Sequence, residues 1–270
     1  MTLGEALAVA RQRIDRLDAR LLLQYATGCS HADLLARPET PVGGPAGEQF
    51  MAWVERRAAG EPLAYLVGEA EFRGQVFQVS PAVLIPRPET EVLIDLALGK
   101  LRGLAAPRVL DLGTGSGIVA ISLALECPAA RVVALDVSPA ALAVARNNAG
   151  RLGGAVDFRQ SDWYENLGGE RFDLIVSNPP YVAGGDPHLA LDGLPFEPQL
   201  ALTDGADGLD CIRRIVGGAP AHLNPGGWLL FEHGYDQGEA SRNLLAAVGF
   251  KETFTHPDLA GTDRVSGAHL

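Results

Sequence analysis

Apolar residues recur at helical spacing through the first sixty or so positions and later as short unbroken runs, and this change of period divides the chain. Leu3, Ala6, Leu7, Ala10 and Ile14 fall on one helix face, with Thr2 and Glu5 reading as a capping box ahead of them. Asp18 to Tyr25 predicts a second helix ended by Gly28, and Ser30 with Asp33 opens a short third. Ala46 to Ala59, carrying Phe50, Trp53, Val54 and Arg57, predicts another that Gly60 stops. The result is a small helical bundle with Pro38, Pro41, Gly43, Gly44 and Pro45 in its internal loop.

Glu71 to Val79 alternates apolar and polar residues around Gly74, which predicts two short strands joined by a turn. Pro86 and Pro88 then bracket Arg87, and Glu89-Thr90-Glu91 opens an amphipathic helix carrying Leu93, Leu96 and Ala97. From Arg108 onward apolar runs alternate with helical patterns, the signature of an α/β domain with a doubly wound, mainly parallel sheet. Strands are expected at Val109 to Leu112, Val132 to Leu135, Val156 to Gln160, Leu174 to Ser177 and Trp228 to Glu232, with a pair near the C terminus making seven. Helices are expected at Gly117 to Glu126, Pro139 to Leu152, Gly208 to Leu223 and Gln237 to Val248. The expected organisation is a helical domain over 1–68, a β-hairpin connector over 69–86 and an α/β domain over 87–270.

The 270 residues are 47% hydrophobic and 20% charged, an ordinary globular balance. No apolar run reaches the roughly 18 to 20 residues that cross a bilayer, and the start lacks a basic region followed by an apolar stretch, so a cytoplasmic protein is expected. Cys29, Cys127 and Cys211 are odd in number and widely spaced, which predicts small buried side chains rather than a disulfide or zinc framework. The six histidines show no ligand spacing either, and no metal is expected. A net charge of −11 weighs against a nucleic-acid partner, whose phosphates call for a basic footprint. Length and acidity point to a monomer.

Chemistry concentrates at three predicted strand ends. Asp111-Leu112-Gly113-Thr114-Gly115-Ser116-Gly117 follows the first strand of the α/β domain and opens a helix, putting three glycines and a helix N terminus where a carboxylate or a phosphate can approach the backbone. A dinucleotide turn is G-x-G-x-x-G, whereas here Ile118 holds the last position, which disfavours NAD. Asp136 closes the second strand, where an acid can accept both hydrogen bonds of a ribose diol. Asp162, past the third strand, is placed to take an adenine amino group, with Trp163 beside it as a packing ring. Asn178-Pro179-Pro180-Tyr181 follows the apolar run Phe172 to Ser177. Its prolines cannot continue a sheet ladder and push their predecessors out of the helical region, so it leaves the strand as a stiff extended loop. The Asn178 amide oxygen and a nearby carbonyl offer two acceptors to the hydrogens of a planar –NH2 group, and Tyr181 adds an aromatic face.

These residues resemble the class I S-adenosylmethionine-dependent methyltransferases, and within them the glutamine-N5 methyltransferases of peptide chain release factors, the HemK/PrmC type. The resemblance covers nearly the whole chain. It rests on Glu61 to Gly68 with Phe72, Leu84-Ile85-Pro86-Arg87-Pro88-Glu89-Thr90-Glu91, Gly113 to Gly117, Ser177 to Tyr181, Phe196-Glu197-Pro198 and Glu232-His233-Gly234. It implies a Rossmann-like methyltransferase sheet, with S-adenosylmethionine as cofactor and S-adenosylhomocysteine as product. It further implies that Gly113 to Gly117, Asp136 and Trp163 hold the cofactor, that Asn178 to Tyr181 hold the glutamine of a Gly-Gly-Gln loop, that Ile85 to Thr90 lines the active-site mouth, and that the helical domain helps grip the release factor. Methyltransferases of exocyclic amines on adenine or guanine use a similar Asn/Asp-Pro-Pro-aromatic loop and stand as the alternative. An NAD-dependent oxidoreductase and a non-catalytic adaptor are the more distant alternatives.

Overall fold

The structure, a computed structural model, describes residues 1–191 and 193–270. Met1–Glu69 forms one compact unit together with a short segment ending at Phe196, and Ala70–Leu191 with Glu197–Leu270 forms a second.

The first unit is helical: α1 (Leu3–Ala10), α2 (Arg16–Thr27), α3 (His31–Ala36), α4 (Gly44–Ala58) and α5 (Leu63–Val67). The predicted capping box of Thr2 with Glu5 forms, Ser30 and Asp33 open α3 and form a second one, and Gly28 ends α2 in the left-handed conformation. Leu3, Ala6, Leu22, Leu23, Phe50 and Val54 make its core, and Arg57 pairs with Asp18 at 2.7 Å beside it. α5 carries no periodic signal because five residues span little more than one turn.

The second unit opens with β1 (Glu69–Phe72) and β2 (Gln75–Gln78), turned by Arg73 and Gly74 at positive φ. After α6 (Thr90–Leu101) come β3 (Arg108–Leu112), α7 (Ile118–Glu126), β4 (Arg131–Asp136), α8 (Pro139–Leu152), β5 (Val156–Gln160) and β6 (Phe172–Ser177). A short α9 (Gln199–Leu202) precedes α10 (Asp210–His222), β7 (Leu223–Glu232), α11 (Gly238–Val248), β8 (Lys251–Pro257) and β9 (Asp263–His269). The seven strands run in the order β5-β4-β3-β6-β7-β9-β8, parallel except for β9, which is antiparallel to both neighbours.

Successive side chains of a strand face opposite sides, and a parallel sheet covered on both sides therefore reads as a continuous apolar run. Val132, Ala134, Leu174 and Val176 enter one core with Leu93, Ile94 and Ile121, whereas Val133, Leu135 and Ile175 enter the other with Ile212, Ile215 and Leu245. β7 starts five residues before its expected beginning: Phe172 pairs with Leu223 and Leu174 with Trp228, and the irregularity between them absorbs Pro225, Gly226 and Gly227. The cysteines differ from expectation too, being half-buried rather than buried, and they are free. No helix among the described residues is long and apolar enough to cross a membrane.

Candidate active site

Strand order reverses direction at β3, with β4 and β5 on one side and β6 on the other, and open α/β sheets bind ligands at the carboxyl ends of strands flanking such a switch. Leu112 is in register with Leu135 and Ser177, and Ser177 with Phe231. Asp136, Gly113, Asn178 and Glu232 therefore follow one another along a single rim.

The glycine turn is held tightly. Gly113 and Thr114 both donate to the Leu135 carbonyl at 2.9 Å, and Gly113, Gly115 and Gly117 all have positive φ. Asp136 supports the turn from below: one carboxylate oxygen accepts from Gly115 N at 2.9 Å, the other from Ser138 N at 2.8 Å. Each oxygen keeps a lone pair for a diol. Burial pushes the Asp136 carboxyl above its ordinary range, opposed by those amides. Trp163, itself at positive φ, lies against the Gly113 position. Asp162 accepts from Arg214 at 2.9 Å, so any adenine amino group must share it with a guanidinium.

Beneath the turn, Asp111 is 1% exposed, and neither of its oxygens nor the Thr114 hydroxyl reaches a partner with hydrogen-bond geometry among the described residues. Burial pushes the Asp111 carboxyl up to about 7, against weaker pulls from the nearby Thr114 hydroxyl and Ala120 amide. Buried polar atoms are normally satisfied, and unsatisfied acceptors below a glycine turn suit a ligand rich in donors. Asp111, Asp136 and Asp162 also make the rim acidic. That suits a cofactor with cationic groups and a ribose diol, and S-adenosylmethionine, with its sulfonium and ammonium, fits.

At the Asn-Pro-Pro-Tyr loop, the Asn178 side-chain Nδ2 donates to Thr90 Oγ1 at 3.0 Å, and Thr90 Oγ1 donates to Glu232 Oε2 at 2.8 Å. The Tyr181 hydroxyl donates to the other oxygen, Glu232 Oε1, at 3.1 Å. Thr90 lies at the first residue of α6 and is fully buried, as is Glu232 at the end of β7. Asn178 Oδ1 and the Pro179 carbonyl accept nothing from the described residues. Tyr181 is turned inward and packs against the core with its hydroxyl engaged, so it shapes the loop as well as lining it. Gln237 clamps the exit, donating from Nε2 to the Tyr181 carbonyl at 2.9 Å and accepting from Gly234 N at 2.8 Å. Across the rim, Glu197 accepts from Ile85 N at 3.0 Å and pairs with Arg87, which ties the Leu84 to Glu91 segment to Glu197-Pro198.

Thr90, Glu232, Gln237 and the Arg87–Glu197 pair have no role that local sequence could reveal. Their partners stand far along the chain, 88 residues for Asn178 and Thr90 and 142 for Thr90 and Glu232.

Burial pushes the Glu232 carboxyl up from 4.5 to about 7, partly offset by Thr90 and Tyr181. The folded protein therefore binds more protons than the unfolded chain between those values, and stability from this group falls as pH rises through that window. Glu232→Gln is expected to flatten the decline in melting temperature between about pH 5 and 8. Calorimetric scans of both proteins check it, and an identical slope would remove Glu232 as the source.

Comparison with known proteins adds the family. The Methyltransferase small domain model matches residues 90–192 and the PrmC N-terminal domain model residues 3–68. The release factor glutamine methyltransferase of Bordetella pertussis is 54% identical over 261 residues, covering 95% of this chain and 96% of that protein. That of Burkholderia pseudomallei is 53% identical over 264 residues, covering 95% and 93%. Among solved structures, a T. thermophilus 16S rRNA methyltransferase in complex with AdoMet and guanosine superposes with a TM-score of 0.55 at 25% identity, covering 74% of this chain and 49% of that one. With an acidic cofactor rim, an Asn-Pro-Pro-Tyr loop at the switch point and relatives this similar along nearly its full length, the chain belongs to the release factor glutamine methyltransferase family.

Proposed function

We propose that the chain transfers a methyl group from S-adenosylmethionine to the N5 amide nitrogen of the glutamine in the Gly-Gly-Gln loop of peptide chain release factors. The observation that carries this reading is the state of the Asn178 amide: its Nδ2 is committed to Thr90, so Oδ1 remains to accept, alongside the Pro179 carbonyl. Two acceptors on a stiff loop match the two hydrogens of a carboxamide –NH2.

A carboxamide nitrogen is a weak nucleophile because its lone pair is delocalised into the carbonyl. When bound, S-adenosylmethionine supplies a methyl group already activated on a sulfonium. The chain's task is then geometry and charge: Asn178 and Pro179 grip the two N–H groups, turn the nitrogen for in-line displacement and stabilise positive charge growing on it. The amide proton leaves after transfer, so no strong base is required. Gly113, Thr114, Gly115, Ser116 and Gly117 form the close-approaching turn that would cradle the amino-acid end of the cofactor, Asp136 would take the ribose diol, and Asp162 with Trp163 the adenine. Asn178 borders both ligands, and Pro180 and Tyr181 complete the acceptor wall. The helical unit over 1–68 serves release-factor recognition, and catalysis requires neither metal nor nucleic acid.

The test is incubation with a release factor, beside DNA and rRNA, and labelled cofactor, followed by mass spectrometry of the Gly-Gly-Gln peptide. One added methyl on that glutamine is the expected result. Label on a nucleobase with none on the protein would replace the reading with an exocyclic-amine one.

A further inference from the structure

The Thr90 hydroxyl has one hydrogen, and that single proton decides which way the Asn178 amide faces. An ionised carboxylate can only accept. With Glu232 charged, the Thr90 hydrogen must go to Oε2, 2.8 Å away, and Thr90 Oγ1 can then only accept from Asn178. The group it meets at 3.0 Å is therefore the Asn178 Nδ2, and Oδ1 is left for the acceptor. Tyr181 donates to Oε1 from the opposite side, so both carboxylate oxygens are held by hydroxyl donors.

Resting on the acceptor role of Asn178, we infer that Glu232 is a positioning residue: acting through Thr90, its ionised carboxylate holds the Asn178 amide with Oδ1 toward the acceptor, and methyl transfer requires that charge. If Glu232 is protonated, its own hydrogen needs an acceptor, either Tyr181 Oη or Thr90 Oγ1. In the second case the Thr90 hydrogen swings to Asn178, the amide turns over, and Nδ2 meets the hydrogens of the acceptor –NH2 donor against donor. The neutral state thus loses the enforcement of one orientation.

The surroundings place this titration in an accessible range. Burial raises the Glu232 carboxyl to about 7, with Glu89 pushing the same way and Thr90, Tyr181 and Arg264 pulling down. The Tyr181 hydroxyl is itself raised by burial and stays protonated throughout. His233, the next residue, is fully buried and held below its ordinary value by that burial. Arg264 is occupied, pairing with Asp258 at 3.4 Å and donating to the His233 carbonyl.

The experiment is single-turnover methylation of a full-length release factor at saturating cofactor, from about pH 5.5 to 9, with full-length protein. Wild type is expected to fall on the acid side, with a midpoint near the Glu232 value, to a plateau about tenfold lower. Glu232→Gln, a permanently neutral isostere, should sit near that plateau with no acid limb. Thr90→Val, which keeps the volume and removes the hydroxyl, should lose about 10- to 100-fold, as second partners of a catalytic ligand commonly do. Thr90→Ser should recover most of that loss. Cofactor affinity by calorimetry should stay within about twofold for all of them, which separates positioning from misfolding. An acid limb that survives in Glu232→Gln, or a Thr90→Val protein at the wild-type rate, overturns the inference. Asn178→Ala in the same assay keeps the two ideas apart: if it alone is inactive, the relay fails and the acceptor reading stands, whereas if it too is fully active, the acceptor reading fails.

Discussion

Asn178→Ala is expected to slow the chemical step by roughly 10²- to 10³-fold, about 2.7 to 4 kcal/mol, the usual cost of removing one preorganised polar contact to a transition state. Oδ1 is the only acceptor the side chain has to give, since Nδ2 is spent on Thr90 at 3.0 Å. The alanine variant would retain the Pro179 carbonyl and so hold one N–H of the acceptor without fixing rotation about the amide. The loss should therefore lie in the rate at saturation, with a smaller effect on cofactor binding, since the proposed site has Asn178 bordering that ligand as well. Single-turnover rates together with cofactor titration check it. Turnover at the wild-type rate with retained cofactor affinity would end the assignment.

Gly117→Ala is expected to destabilise the second unit by roughly 2 to 5 kcal/mol, the sum of a backbone cost and a packing cost. Gly117 has φ +87°, a conformation that costs a residue with a Cβ about 1 to 2 kcal/mol. A Cβ at that position would stand 2.7 Å from Ile121 Cδ1 and 3.2 Å from Ala145 Cβ, which forces a packed core to shift at about 1 to 3 kcal/mol. Gly115→Ala isolates the first cost, because Gly115 also has positive φ but nothing lies within 4 Å of where its Cβ would stand. Urea unfolding should rank Gly117→Ala well below Gly115→Ala. Equal losses would show that close packing is not the reason for glycine at 117.

Much of the site could be read from local sequence because each part is a short segment at a strand end. The glycine turn, Asp136 and Asn178 align since parallel strands in register deliver their next residues to one rim. The element types and most boundaries were equally accessible through apolar periodicity, Ser138-Pro139 at the start of α8 being an instance where cap chemistry sets the end. What failed locally was of two kinds. The five-residue α5 is too short to show a period, and the start of β7 runs through Pro225, Gly226 and Gly227, residues that ordinarily signal a turn. The partners of Asn178 and of Arg87 were hidden for a different reason, since nothing in Glu232 or Glu197 distinguishes a buried hydrogen-bonded carboxylate from a solvated one until its surroundings are known.

Sequence alone determined the layered α/β architecture, the glycine turn after β3 and the stiff Asn-Pro-Pro-Tyr loop after β6, because these depend on interactions within a few residues or on the period of burial. Tertiary structure decided how the Asn178 loop is aimed. Asn178, Thr90, Tyr181 and Glu232 come from three separate stretches of chain, and the direction of each hydrogen bond among them follows from the charge on one carboxylate that only folding buries.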